Sequence, residues 1–164
     1  MKYPLDRICV KSGIFCSICQ RKLDSGEVGR EEIDIIRTLI DLEEVHQEFR
    51  KGEYVKSYTV DNNVIIFLRN GWDYGDINKL TRSISSRLGK RVKIVQLTND
   101  YRSLIEQVLS PVRVIGVNIV WLPDGTEQFS ITIHKRDRRK LENVSEWEKL
   151  LMKILGKTTR IRFE

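Results

Sequence analysis

Residues 87–95 read RLGKRVKIV, and residues 154–163 read ILGKTTRIRF. In each stretch a helical pattern of apolar residues stops at a glycine, a lysine follows, and a strand-like pattern begins. A glycine directly after a helix adopts the left-handed backbone conformation that ends many helices. Because this helix–glycine–strand step occurs twice, it indicates that one structural module is present in two copies.

The same order of elements precedes each of these two steps. A helical segment comes first, with isoleucine and leucine recurring every three or four positions. Two strand-like runs then flank a tight-turn sequence, Asp61-Asn62-Asn63 in the first half and Pro123-Asp124-Gly125 in the second. The order helix, hairpin, helix, strand is therefore expected over about residues 30–97 and again over 99–163.

This repeat predicts an α+β fold with two modules, over residues 30–98 and 99–164, after a lead-in over residues 1–29. In the second module, alternate residues of one strand are apolar and are expected to face the core. They are Ile115, Val117, Ile119 and Trp121. Trp147, on an apolar helix face, is also expected in the core.

All three cysteines of the chain lie within residues 8–19, ICVKSGIFCSIC. Cys16 and Cys19 form a C-x2-C step, a spacing at which two thiolates can bind one tetrahedral ion. With Cys9 and Asp6 the pattern reads D-x2-C-x6-C-x2-C, which predicts a small zinc knuckle held by these four residues. Other sources of the fourth ligand are His46, His134, a water molecule or a residue of a partner protein. Two alternatives to zinc are a buried apolar cluster and a redox-active C-x2-C pair.

The composition favours a cytoplasmic protein with a polyanionic partner. The 164 residues carry a formal net charge of +6, which suits nucleic acid, although many soluble proteins without such a partner are equally basic. No apolar run approaches the roughly 20 residues that span a bilayer, so we expect no membrane contact. The N-terminus also lacks the apolar segment of a signal peptide.

An enzymatic function has little support in the sequence. The chain has two histidines, His46 and His134, far apart and without a nearby nucleophile in a recognisable order. No glycine-rich phosphate-binding motif follows a predicted strand. We therefore expect a binding protein rather than an enzyme.

The element order, together with the LGK–strand step at residues 88–95, resembles a KH module of the prokaryotic type. Two such modules after a cysteine knuckle resemble the archaeal NusA-like transcription elongation factors. The resemblance implies two tandem KH-like modules and RNA binding linked to transcription elongation or termination. It covers about residues 30–164, with the knuckle resembling the cysteine-bearing N-terminus of some members.

The chain departs from a KH module at the GxxG loop, which clamps the RNA backbone through N–H groups left open by the glycines. The first module offers only GWDYG at residues 71–75 or GDIN at residues 75–78, and both contain an aspartate. The second module has no glycine over residues 134–149. Neither loop therefore keeps the clamp.

Basic and aromatic side chains remain as candidates for RNA contact. The basic ones could bind phosphates, although a solvated loop with nearby acids would have the same composition. They are Lys79, Arg82, Arg87, Lys90 and Arg91 in the first module, and Lys135, Arg136, Arg138, Arg139 and Lys140 in the second. Trp72 and Tyr74 lie in a turn and are candidates for stacking on bases, unless Trp72 fills the core.

These features leave two main hypotheses. The first is an RNA-binding factor of the NusA-like class that contacts single-stranded or ribosomal RNA. The second is a protein–protein adaptor on RNA polymerase or the ribosome that keeps a KH fold without the RNA clamp. A third hypothesis is a ribosome-associated factor that touches both RNA and protein.

Overall fold

The computed structural model describes all 164 residues, which form two compact units, Met1–Leu97 and Thr98–Glu164. Both helices and strands occur in each unit, so the predicted α+β class is confirmed. None of the helices combines the length and the apolar composition that crossing a lipid bilayer requires.

Unit 1 contains four α-helices, a short 3₁₀ helix and three strands. In chain order they are α1 (Arg7–Ser12), α2 (Ser17–Asp24), α3 (Glu32–Val45), the 3₁₀ helix (Gln47–Phe49), β1 (Glu53–Val60), β2 (Asn63–Arg69), α4 (Tyr74–Leu88) and β3 (Arg91–Gln96). The sheet has the order β1-β2-β3, with β1 and β2 antiparallel and β2 and β3 parallel. Helix α4 makes the crossover that a parallel pair requires.

Two separate helices lie between the cysteines and β1. Helix α2 ends at Asp24 and α3 begins at Glu32, near residue 30 where the first module was expected to start. Gly26, with φ 79°, breaks the helical path between them.

Glu32 connects the start of α3 to β1. Its buried carboxylate accepts hydrogen bonds from the Tyr54 hydroxyl at 2.7 Å, the Ser57 amide at 3.0 Å and the Gly29 amide at 2.7 Å. The Lys56 ammonium lies 3.0 Å from the same carboxylate. A buried charge with this many partners is satisfied, and it fixes α3 on the sheet.

Unit 2 repeats the arrangement of the sheet with two α-helices fewer. Its elements are α5 (Tyr101–Leu109), β4 (Val114–Trp121), β5 (Glu127–Ile133), a 3₁₀ helix (Lys135–Lys140), α6 (Val144–Leu155) and β6 (Thr158–Phe163). Strands β4 and β5 are antiparallel, β5 and β6 are parallel, and β5 is central. The two sheets therefore have the same order and the same directions.

The expectation that Ile115, Val117, Ile119 and Trp121 lie in the core is wrong. Ile115 is 46% exposed, Ile119 is 50% exposed and Trp121 is 69% exposed, whereas Val117 is half-buried. The ring of Tyr101, at the start of α5, contacts Phe129, whose strand partner is Ile119. Because α5 begins at this level, the hairpin beyond Ile119 has no part of α5 beside it, and Trp121 lies in solvent. Trp147 is half-buried.

Candidate functional site

The three cysteines meet in one cluster at the start of the chain. Cys9 lies in α1 and is buried, Cys19 lies in α2 and is buried, and Cys16 is exposed directly before α2. Their sulfur atoms all lie within 4.8 Å of one another, and none is in a disulfide. Three thiols at this separation could hold a metal ion.

Backbone N–H groups point at the three sulfurs. The amide of Asp6 donates to Cys19 Sγ at 3.3 Å, that of Cys16 to Cys9 Sγ at 3.4 Å, and that of Cys19 to Cys16 Sγ at 3.5 Å. Such donors stabilise thiolates and orient them toward a shared ion. The hydrogen bond from the Cys19 amide lowers the pKa of Cys16, whereas burial raises the pKa of Cys19.

The structure does not support Asp6 as a metal ligand. Its carboxylate accepts a hydrogen bond from the Ile8 amide at 2.8 Å, as the N-cap of α1, and is not part of the sulfur cluster. The two histidines are not part of it either. His46 Nδ1 lies 3.6 Å from Glu48, and His134 accepts from the Arg136 amide. The chain thus brings three ligands together rather than four.

The candidate phosphate-binding residues of unit 1 lie on α4 and on the loop after it. Lys79, Arg82, Arg87, Lys90 and Arg91 are all exposed. Lys79 pairs with Glu48 and lies over the Phe49 ring, so part of its charge is compensated. The other four are in no ion pair, and their charges face solvent.

Trp72 is not available for stacking on a base, contrary to one of the two expectations for it. Its ring is only 5% exposed and packs near Phe49, with a centroid separation of 6.4 Å, and the Lys51 ammonium lies over it. Tyr74, two residues later in the first turn of α4, is 80% exposed. Of the two aromatic candidates, only Tyr74 can meet a ligand in this conformation.

The start of α4 shows why this segment lacks a GxxG clamp. Asp73 caps the helix, and its carboxylate accepts from the Asp76 amide at 2.8 Å. A carboxylate therefore occupies a backbone donor that a clamp would offer to phosphate, and it repels an anion. In unit 2, Asn143 rather than a glycine takes the left-handed conformation before α6, with φ 53°.

The five cations of unit 2 lie on the 3₁₀ helix Lys135–Lys140, and all are exposed. Lys140 pairs with Asp137 at 3.1 Å, and Arg138 lies over the Phe163 ring at 5.6 Å. Lys135, Arg136 and Arg139 are in no ion pair. This short segment therefore presents a dense positive surface with one carboxylate.

Arg113, which no pattern in the sequence marked as a candidate, also lies at this surface. Its amide donates to Asp137 Oδ2 at 2.9 Å, and its carbonyl accepts from the His134 amide at 3.5 Å. The Arg113 amide and then the Lys140 ammonium lower the pKa of Asp137. The pairing of β4 with β5 brings Arg113 here, and only a correct strand register could have predicted it.

Comparisons with known proteins place the fold but give no function. No family model matches the chain, and no curated protein matches it. Among solved structures, the chain is similar to the protein described as "Crystal structure of APE1850", with a TM-score of 0.55 and 16% sequence identity. The match covers 79% of this chain and 96% of that one. At this identity the similarity concerns the fold alone.

Proposed function

We propose that the protein is an RNA-binding factor of the NusA-like class, with two KH-like modules over residues 30–98 and 99–164. In this proposal it acts in the cytoplasm, in transcription elongation or termination, and it is not an enzyme. The observation that carries the proposal is the exposed 3₁₀ helix Lys135–Lys140, where five cations face one carboxylate. The matching strand order of the two sheets supports a tandem KH arrangement.

RNA would be held mainly through its phosphates. Four unpaired cations on unit 1 and the 3₁₀ helix of unit 2 supply the positive charge, and phosphate binding releases the counterions of the RNA. Tyr74 supplies an exposed aromatic face for one base. This mode needs no GxxG loop and is consistent with the carboxylate at the start of α4.

The cysteine cluster would hold Zn²⁺ in residues 1–29. Three thiolates with N–H···S bonds suit a borderline-soft, tetrahedral ion, which leaves one position for a ligand from outside the cluster. The ion would link α1 to α2, two short helices that are not stable alone.

The proposal is tested by fluorescence anisotropy with labelled single-stranded RNA and two charge-reversal variants. Lys135→Glu with Arg138→Glu is expected to weaken binding at least tenfold, because it replaces two phosphate-contacting cations. Lys149→Glu with Lys153→Glu, on α6 of the same unit, changes the net charge equally and serves as the control. Equal affinities for the two variants would contradict a role for the 3₁₀ helix.

The second candidate function is an adaptor that docks on RNA polymerase or on the ribosome. Trp121, 69% exposed at the end of β4, favours it, because large exposed aromatic residues often anchor protein interfaces. Trp121→Ser is expected to abolish co-sedimentation with ribosomes or capture by RNA polymerase after nuclease treatment. If the variant still co-sediments with ribosomes and is still captured by RNA polymerase, docking through β4 is excluded.

A further inference from the structure

A cleft in unit 2 gathers charged groups from two separate segments. Its volume is about 190 Å³, and its lining comes from the connection before β4 and from the residues around the 3₁₀ helix. The lining residues are Pro111, Arg113, His134, Arg136, Asp137 and Lys140. Of these, only Arg136 and Lys140 were expected to contact RNA from the sequence.

Asp137 organises the cleft and uses both of its oxygens to do so. Oδ2 accepts from the Arg113 amide at 2.9 Å, and Oδ1 lies 3.1 Å from the Lys140 ammonium. The carboxylate therefore fixes the backbone of one segment against a side chain of the other. Its charge offsets one of the three cations in the lining.

His134 is oriented as a hydrogen-bond donor. Its Nδ1 accepts from the Arg136 amide at 3.1 Å. A neutral imidazole that accepts at Nδ1 carries its proton on Nε2, which is then the donor. The cleft thus gains a polar N–H group without any further negative charge.

The guanidinium groups of Arg113 and Arg136 are in no ion pair. With Lys140 they give the lining three positive charges against the single negative charge of Asp137. A guanidinium fork matches two oxygens of a phosphate, and an imidazole N–H can donate to a further oxygen. The arrangement is therefore suited to an oxyanion of this class.

We propose that this cleft is a phosphate-binding site, and that its ligand is a phosphate group of the RNA. The second half of this inference rests on the proposed function. The site lies at the connection before β4 and at the 3₁₀ helix, not at residues 141–143 before α6, where a GxxG loop would precede the helix. Unit 2 thereby replaces a backbone clamp with side-chain donors.

The site is tested first without RNA, by following the two histidine side chains of the full chain by NMR. Inorganic phosphate is titrated against chloride at constant ionic strength. The His134 resonances are expected to shift and saturate, while those of His46 in unit 1 stay in place. Arg113→Gln with Arg136→Gln should abolish the saturable shift.

Lys149→Gln with Lys153→Gln, on α6, removes the same charge from residues that do not line the cleft, and it should keep the shift. Linear, non-saturating shifts of His134 in the wild-type chain would overturn the site. A saturable shift that survives in the Arg113→Gln, Arg136→Gln variant would overturn it as well.

The source of the phosphate is tested with RNA that carries either a 5′-phosphate or a 5′-hydroxyl. If the cleft variant weakens both RNAs by roughly tenfold, the ligand is a backbone phosphate, and if it weakens only the phosphorylated RNA, the ligand is the terminal phosphate. Unchanged RNA affinity after loss of phosphate binding would overturn the assignment to RNA and leave free phosphate as the ligand.

The two proposals can fail separately. A wild-type chain that binds RNA but gives no saturable shift with phosphate contradicts the cleft alone. A chain that binds phosphate but no RNA contradicts the proposed function, and the RNA half of this inference with it.

Discussion

At the scale of single residues, Asp6 beside the cysteine cluster was predicted to be a metal ligand but caps a helix instead. Aspartate is both a zinc ligand and one of the best N-caps, so the spacing of Asp6 to Cys9 fits either role. The structure gives Asp6 the capping role, with its carboxylate on the Ile8 amide. The spacing of the sulfurs could be predicted from the sequence, but the rotamer of Asp6 could not.

Metal content distinguishes these two roles of Asp6. The wild-type chain is expected to bind about one zinc ion through its thiolates, and Cys19→Ser to lose it. Asp6→Asn should keep the ion, because asparagine caps a helix as well as aspartate does. Zinc is measured by atomic emission after dialysis. Loss of zinc from Asp6→Asn would show that the carboxylate is a ligand after all.

Trp72 and Tyr74 are two residues apart, yet they have opposite surroundings. Trp72→Ala is expected to lower the free energy of unfolding by about 3–5 kcal/mol, because it empties a buried site. Tyr74→Ala should leave stability nearly unchanged and weaken RNA binding by about 1–3 kcal/mol, the value of one stacked base. Urea denaturation measures the stability of each variant, and anisotropy measures its RNA binding. A large loss of stability for Tyr74→Ala with little loss for Trp72→Ala would refute both assignments.

Lys93 on β3 should make the free energy of unfolding depend on pH. Burial lowers its pKa to about 8, below its ordinary value of 10.5. Between these two values the unfolded chain binds more protons than the folded chain, so the free energy of unfolding should rise with pH across this window. Lys93→Met is expected to remove this rise. Urea midpoints measured from pH 7.5 to about 10 provide the test, and identical pH profiles would contradict it.

At the scale of elements, the repeated helix–glycine–strand step is the feature that the sequence predicts best. Gly89 and Gly156 end α4 and α6 with φ of 66° and 73°, and a parallel strand follows each. A positive φ at a helix end, an apolar stripe and a turn sequence are local signals. For that reason the helices, the hairpins and their order could be predicted.

The two caps make a paired prediction. Gly89→Ala and Gly156→Ala should each lower the free energy of unfolding by about 1 kcal/mol, because alanine is strained at positive φ. No atom lies within 4 Å of the added methyl at either position, so strain is the only cost. Gly116→Ala, equally open but not at positive φ, is the control. An equal loss for all three variants in urea denaturation would argue against the left-handed caps.

Strand β4 shows what a local pattern cannot predict. In the structure, Ile119 pairs with Phe129 across the strands, so the two side chains share one face of the sheet. Whether that face is covered depends on where α5 begins and on β4 being at the edge of its sheet, and both are tertiary facts. The exposure of Trp121 follows from that arrangement rather than from its own sequence neighbourhood.

At the scale of the whole molecule, the proposed RNA binding depends on positive charges that folding brings together. The five cations at residues 135–140 are visible as a run in the sequence. Arg113 is more than twenty positions away, and it reaches the same cleft only through the pairing of β4 with β5. The basic segment could thus be predicted, whereas the cleft beside it required the structure.

The most direct test of the central claim is the salt dependence of binding to single-stranded RNA. If about four to five phosphates are contacted, a plot of log K against log salt concentration should have a slope of about −3. The Lys135→Glu, Arg138→Glu variant should bind more weakly and with a shallower slope. A slope near zero, or no binding even at low salt, would contradict an RNA function and favour the adaptor.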